Sequence, residues 1–289
     1  MANVKDLKKR IKSTKSTHKI TSAMKLVSAA KLSKAQSAIT GARPYAGELE
    51  DTIKTVSALI KDYTHEFLKQ TDNNKMILLV LSSDKGLCGG YNSGLAKAVK
   101  NYVAKNSDKD IKVYFIGKKV KELITKSVNS GKTFTFNRTE PSYDEVRKVC
   151  EELAHHFTTG EVGSINVAYN QFQSAISVIP TISQVLPLSF SSEEQEKLQS
   201  EFPFDFKYEP TPKEILDALI PQVYVTSVYT KVLDSIASEH GSRMSAMENA
   251  SKNCKEMIKK LTIKMNKMRQ AAITTQLIEV VSGAESLNG

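Results

Sequence analysis

The chain has 289 residues, enough for one or two domains with a respectable core, and no apolar run approaches the ~20 residues of a membrane-spanning helix. Aromatic residues are only 7% and Trp is absent, which favours long helices over a thick globular core. The net charge of +10 sits almost wholly in one segment, where Lys5, Lys8, Lys9, Arg10, Lys12, Lys15, Lys19, Lys25, Lys31 and Lys34 face Asp6 alone; such a field suits nucleic acid, anionic lipid or an acidic protein surface.

The first region, residues 1–62, reads as helix. Asn3 can cap it, with Asp6 at the third helical position to offset the orphan amides. Apolar residues recur at Val4, Leu7 and Ile11, then at Ile20, Met24, Val27 and Ile39, with Ser13, Thr14, Ser16 and Thr17 in the gap. Gly41 and Pro44 are expected to break or kink the helix, after which Leu49, Ile53, Val56 and Ile60 restore the period. The amino terminus MANVKDLKKR lacks the apolar core of a signal peptide, so a bacterial cytoplasmic chain is the simplest reading.

The middle region, residues 75–190, alternates strand-like and helix-like runs. MILLVLSS (76–83) is continuously apolar, as a strand covered on both faces would be. A helix is expected from Asn92 to Lys105, then the strand IKVYFIG (111–117), a helix near 118–128 and the alternating run KTFTFN (132–137). Val146, Val149, Leu153 and Phe157 fall at helical spacing, with Pro141 near the start. INVAYNQF (165–172) alternates again, and ISVIPTISQVLPL (176–188) is extended, with prolines that suit only a sheet edge. This order describes βαβ units and a mainly parallel sheet, a Rossmann-like α/β domain.

From Ser191 to Glu209 the chain turns polar and acidic, as a linker would. In the last region, residues 209–287, Thr211-Pro212-Lys213-Glu214 offers a capping box with proline at the first helical position. After Pro221, apolar or small residues recur through 233, 236, 244, 247, 250, 254, 257, 261, 265, 268 and 272, with His240 in the same stripe. A helix over 222–282 would run on the order of 90 Å. It cannot bury such a stripe alone, and the first region is the long candidate partner. The fold class expected is therefore α/β: a long antiparallel coiled coil of N- and C-terminal helices plus the central domain.

The stretch SSDKGLCGGYNSGL (82–95) lies where a strand meets a helix, so we tested it as a phosphate cradle. A dinucleotide fingerprint needs GxGxxG, and here Gly86, Gly89 and Gly90 give GxxGG with Cys88 in the place of the second glycine. The acidic residue expected after the second strand is replaced by Gly117-Lys118. Gly89 and Gly94 have P-loop spacing, but Leu95-Ala96 replaces the Lys and the Ser/Thr. A tight turn requiring positive φ is the better reading. His18, His65, His155, His156 and His240 form no HExxH, and His155 and His156, adjacent on a helix, point in different directions. Cys88, Cys150 and Cys254 are far apart without CxxC, which argues for packing residues rather than a disulfide framework or zinc site. No catalytic group, cofactor or metal site emerges. Two other classes remain on residues alone: a nucleic-acid-binding coiled coil, although the basic helix has no aromatic and one Arg, and a nucleotide-dependent α/β enzyme.

Five stretches change the balance. KITSAMKLVSAAKLSKAQ, SSDKGLCGGYNSGL, PTISQVLPL, KYEPTPKEIL and RQAAITTQLIEVVSGA, in that order across essentially the whole chain, resemble the gamma-subunit family of bacterial F-type ATP synthases. The one departure noted is Gln276, where the family usually has Glu. The resemblance implies a central-stalk rotor inside three alpha and three beta subunits, resting on the c ring beside epsilon and performing no bond chemistry itself. It implies no bound cofactor, no nucleic acid, and a peripheral place at the cytoplasmic face of the bacterial inner membrane. Residue by residue, it implies that Met24, Lys25, Lys85, Cys88, Arg243, Arg269, Gln270 and Thr274 meet the beta subunit, and that Tyr208 and Glu209 face the c ring.

Overall fold

A computed structural model describes residues 4–59, 63–136, 141–175, 177–188 and 208–288. The Asn3 cap, Ile60 and most of the expected linker (189–207) lie outside the described residues. The chain divides into two compact units, residues 29–243 and residues 1–28 with 244–289.

The larger unit is built on a five-stranded sheet. Strands β1 (Lys75–Leu81), β2 (Asp110–Ile116), β3 (Asn129–Phe134), β4 (Ser164–Phe172) and β5 (Val178–Leu186) lie in the order β3-β2-β1-β4-β5. The first four run parallel, and β5 pairs antiparallel with β4 at the edge, where Pro180 is tolerated. One face is covered by α2 (Tyr91–Lys105) and α3 (Lys119–Ile124), which bury Leu95, Val99, Val120 and Ile124 against Leu78, Val80 and Phe115. On the other face, Ile77, Leu79, Val167 and Val185 share a core with α4 (Tyr143–Thr158) and with parts of the first and last helices. The near-continuous burial of β1 follows from this double cover. Helix α4 starts with a complete capping box of Ser142 and Glu145.

Strand β3 departs from the expected 132–137 and begins three residues earlier. Its ends are set by parallel pairing, Lys112 with Asn129 and Phe115 with Thr133, rather than by the alternation in KTFTFN. The ladder shifts around Tyr114, whose ring lies so close to Gly131 that a β-carbon there would stand 2.2 Å from it.

The first helix, α1, runs unbroken over Val4–Leu59 with Pro44 inside it, and the last, α5, runs over Pro212–Asn288 with Pro221 inside it. The expected break at Gly41–Pro44 and a fresh start after Pro221 are both corrected. Each proline removes one helical hydrogen bond, but Ile39, Leu49 and Ile53 stay buried on either side of the first, and Ile220, Val223 and Tyr224 around the second. Tertiary burial outweighs the local penalty. Thr211 Oγ1 accepts from the Glu214 amide, which is the threonine half of the expected capping box.

In the smaller unit, residues of α1 and α5 pair antiparallel. Thr14 meets Met257, Ser22 meets Ser251 and Lys25 meets Glu248, so the numbers rise on one helix as they fall on the other. Leu7, Ile11, Thr21 and Ser28 of α1 are buried, and half-buried Thr14, His18 and Lys25 complete a series alternating four and three residues apart, with half-buried Val4, Ser22 and Met24 beside it. The expected stripe through Ile20 and Val27 is therefore corrected: both are 58% exposed, and Leu26 is 70% exposed. Strong anchors at Leu7 and Ile11 fix a heptad seam, and polar residues fill it further on. On α5 the half-buried side includes Cys254, Ile258, Leu261, Met265 and Met268, while Met257, at the margin of the pair, is 53% exposed. From Arg269 to Ala284 every described side chain is exposed.

Candidate partner-contact surface

The loop between β1 and α2 is held from inside. Ser83 Oγ donates to the Lys85 carbonyl at 2.8 Å, and the buried Asn92 side chain closes on Ser83, its Nδ2 donating to Ser83 Oγ at 2.7 Å. Cys88 lies beneath the loop, 3% exposed, within reach of Asn92 Nδ2. Burial pushes its thiol up, although Ser83 and Arg243 pull the other way. The turn uses positive φ twice, at Gly89 (58°) and at Leu87 (62°). A leucine in that region carries on the order of 1–3 kcal/mol of strain, and it persists only where its surroundings fix it. Its side chain is 66% exposed.

The fixing comes largely from α5. Arg243, 8% exposed, donates to the Lys85 carbonyl at 3.1 Å and to the Gly86 carbonyl at 3.3 Å. Its Nη1 donates to Glu239 Oε1 at 2.7 Å, one helical turn earlier. Burial pushes the Glu239 carboxyl above its ordinary range and Asp84 adds to this; Arg243 draws it back without cancelling the rise.

The loop stands at the carboxyl end of β1, the central strand, where the strand order reverses toward β4. In open α/β sheets this is the crevice where nucleotides bind. Here α5 fills it. Ser235 Oγ donates to the Leu81 carbonyl at 3.4 Å and lies 2.6 Å from the Tyr91 hydroxyl. Ser238 Oγ donates to the Asn170 carbonyl at 2.9 Å, and Asn170 Nδ2 donates to the Tyr91 carbonyl. Gly241 permits the close approach, since a β-carbon there would lie 3.2 Å from Ala175 Cα. The Leu81 and Asn170 carbonyls and the Tyr91 hydroxyl, which could have received a ligand, are met by the helix instead.

The structure brings Lys85, Cys88 and Arg243 into one place, but with different parts. Lys85 is exposed, Cys88 is buried, and Arg243, expected as an outward cation, is an inward clamp on loop carbonyls. Lys25 reaches Glu248 at 2.5 Å, beside a half-buried Met24. Arg269, Gln270 and Thr274 are exposed near the end of α5, the Thr274 hydroxyl donating to the Gln270 carbonyl at 3.0 Å. Tyr208 is half-buried against the sheet's core and Glu209 is exposed. Sequence reasoning missed Leu87, which carries no composition signal, and Glu239, whose spacing of four from Arg243 was visible. His156, also read without a role, pairs with Glu161 at 2.6 Å, while His155 is exposed.

Among the described residues no cluster of three or more His, Cys, Asp or Glu could hold a metal ion, and no helix is long and apolar enough to cross a membrane. A family model described as ATP synthase matches residues 3–287. The ATP synthase gamma chain of Flavobacterium psychrophilum is 41% identical over 295 residues, covering all of both chains. That of Trichlorobacter lovleyi is 37% identical, also over the full length of both. Among solved structures, a chain of the Tetrahymena thermophila mitochondrial ATP synthase central stalk and c ring superposes with a TM-score of 0.62 at 25% identity, covering 80% of this chain and 99% of that one.

Proposed function

The chain belongs to the ATP synthase gamma-chain family, and on that premise we propose that it works as a central-stalk rotor that couples rotation to ATP chemistry on neighbouring subunits. It makes and breaks no bond itself. Three alpha and three beta subunits would surround it, with epsilon and the c ring at its other contacts, at the cytoplasmic face of a membrane. In this reading the three functional parts are residues 1–62, 75–190 and 209–287.

The observation that carries the reading is the end of α5. Ile273, Leu277, Ile278, Val280 and Val281 are between 49% and 69% exposed, on a helix that finds no covering partner over those positions among the described residues of its unit. An apolar helix end of this length calls for a sleeve supplied by other chains. Arg269, Gln270 and Thr274 stand just before it and would meet one beta subunit. The cationic face of α1 around Lys25 would meet an acidic beta surface, Lys85 and the loop over Cys88 would pass beta, and Tyr208 and Glu209 would face the c ring. Each beta site would be biased by which side of the rotor it meets.

The plugged crevice supports the non-catalytic part, because the place where this fold would seat a nucleotide is taken by Ser235 and Ser238. The test is reconstitution: the purified chain, mixed with alpha and beta subunits, should yield a complex that hydrolyses ATP. Components that never assemble under any subunit ratio defeat the reading.

A further inference from the structure

We propose that Leu87 is a rigid docking knob, seated in an apolar socket with an acidic rim on the beta subunit that the loop passes. The inference rests on the rotor reading above, and names the side chain through which that loop makes its contact.

Three observations converge on Leu87. First, glycine and leucine are placed the wrong way round for the turn's own comfort. Leu87 occupies a φ of 62°, where glycine is free of strain, while Gly86 and Gly90 sit where a β-carbon would meet nothing within 4 Å. Within the chain, a glycine at 87 would be cheaper and side chains at 86 and 90 would be harmless. The pattern makes sense when read from outside: the flanks are cleared so that another backbone can approach, and the apex is kept apolar.

Second, the leucine is displayed. It is 66% exposed while Cys88, next to it, is 3% exposed. The contact expected through Cys88 is thereby transferred to its neighbour. An exposed apolar side chain held in a strained conformation is retained for burial elsewhere.

Third, the knob is supported. The carbonyls of Lys85 and Gly86, immediately before it, accept from the buried Arg243 guanidinium, and Ser83 Oγ adds a further bond to Lys85. A fixed conformation loses little freedom on docking, which is what a hot-spot side chain requires. Lys85, exposed two residues before, supplies the charge that an acidic rim would meet.

The test uses the full chain, labelled with a fluorophore and titrated with an alpha–beta ring, in four forms: wild type, Leu87→Gly, Leu87→Ala and Leu87→Met. Leu87→Gly relieves the backbone, so its melting temperature should equal or exceed that of wild type. Its half-saturation concentration should nevertheless rise roughly tenfold or more, the loss expected for one buried leucine. Leu87→Ala keeps the strain but lacks the knob and should weaken binding to the same extent; Leu87→Met should restore most of it. Glycine and alanine variants that bind as wild type overturn the knob while leaving the rotor intact. A weakened Gly variant beside an unaffected Ala variant shows that rigidity alone matters, and equally overturns it. A wild-type chain that never joins the ring removes the rotor reading and this proposal with it.

Discussion

Arg243 and Lys85 stand 158 residues apart in the chain, yet the guanidinium Nη2 of the first donates to the main-chain carbonyl of the second at 3.1 Å. The same guanidinium reaches the Gly86 carbonyl and the Glu239 carboxylate. Arg243→Ala would leave the buried Glu239 carboxylate and the Gly86 carbonyl without this donor, with Ser83 still serving the Lys85 carbonyl, and should destabilise the chain by about 3–5 kcal/mol. Arg243→Lys keeps the charge but not the planar fork, and should recover only part of the loss. Urea unfolding of the three proteins decides it, and an alanine variant within about 0.5 kcal/mol of wild type contradicts the clamp.

The Glu239 carboxyl beneath that clamp gives the stability a pH dependence. Its folded value is raised by burial above the ordinary 4.5, so the folded chain holds this proton more tightly than the unfolded one. That contribution is fully present below the ordinary value and is lost as pH rises through the raised one. Glu239→Gln removes the titration while its amide oxygen still accepts from Arg243. The stability of wild type relative to the variant should therefore fall as pH rises above the ordinary 4.5 and through the raised folded value. A difference that stays flat or grows over this range refutes the raised value.

Gly241 sits where α5 crosses the β4–β5 hairpin, and its missing side chain is what lets the helix close the crevice. A β-carbon would lie 3.2 Å from Ala175 Cα and 3.4 Å from its carbonyl oxygen. Gly241→Val should cost about 1–3 kcal/mol through overpacking. Gly241→Ala should cost less, because alanine returns up to ~1 kcal/mol of helix propensity. Thermal unfolding in which valine is as stable as glycine shows that the approach is not tight.

Lys25 and Glu248 meet in the open, each side chain a little over one third exposed. The pair holds the Glu248 carboxyl below its ordinary range, yet water and salt screen such contacts. Lys25→Ala should barely move the melting temperature of the isolated chain. In the reconstituted complex the same variant should lower ATP hydrolysis, if this cation meets an acidic beta surface as proposed. A melting shift as large as that of Arg243→Ala assigns Lys25 a purely structural role.

Much of this architecture was legible because one period dominates each element. The run from Met76 to Leu81 is apolar on both faces, and the structure covers it on both. Val146, Val149, Leu153 and Phe157 announce the buried side of α4, and all four are buried. What failed to show was set at a distance. Pro44 and Pro221 look like stops, but burial on either side carries each helix through. The start of β3 depends on pairing with Lys112, a partner no local window contains. The stretch 82–95 reads as a turn needing positive φ and contains one, but its glycines point to where, and one of the two positions is leucine. The clamp from Arg243 was invisible, since nothing in SEHGSRM says that its arginine turns inward.

The seam of α1 supplies the sharpest contrast between hydropathy and structure. Hydropathy alone would make Ile20 core and Thr21 surface, whereas Ile20 is 58% exposed and Thr21 is 8% exposed. The Thr21 hydroxyl donates to the His18 carbonyl of its own helix at 3.0 Å, so no bond between helices depends on it. Thr21→Val keeps the shape, exchanges that hydroxyl for a buried methyl group, and should stabilise the chain by about 1 kcal/mol. Ile20→Ser should stay within about 0.5 kcal/mol of wild type, as surface substitutions do. If Ile20 were core, the serine would instead cost roughly 2–5 kcal/mol and the valine would gain nothing. The two variants therefore move in opposite order under the two registers, and one pair of urea curves separates them.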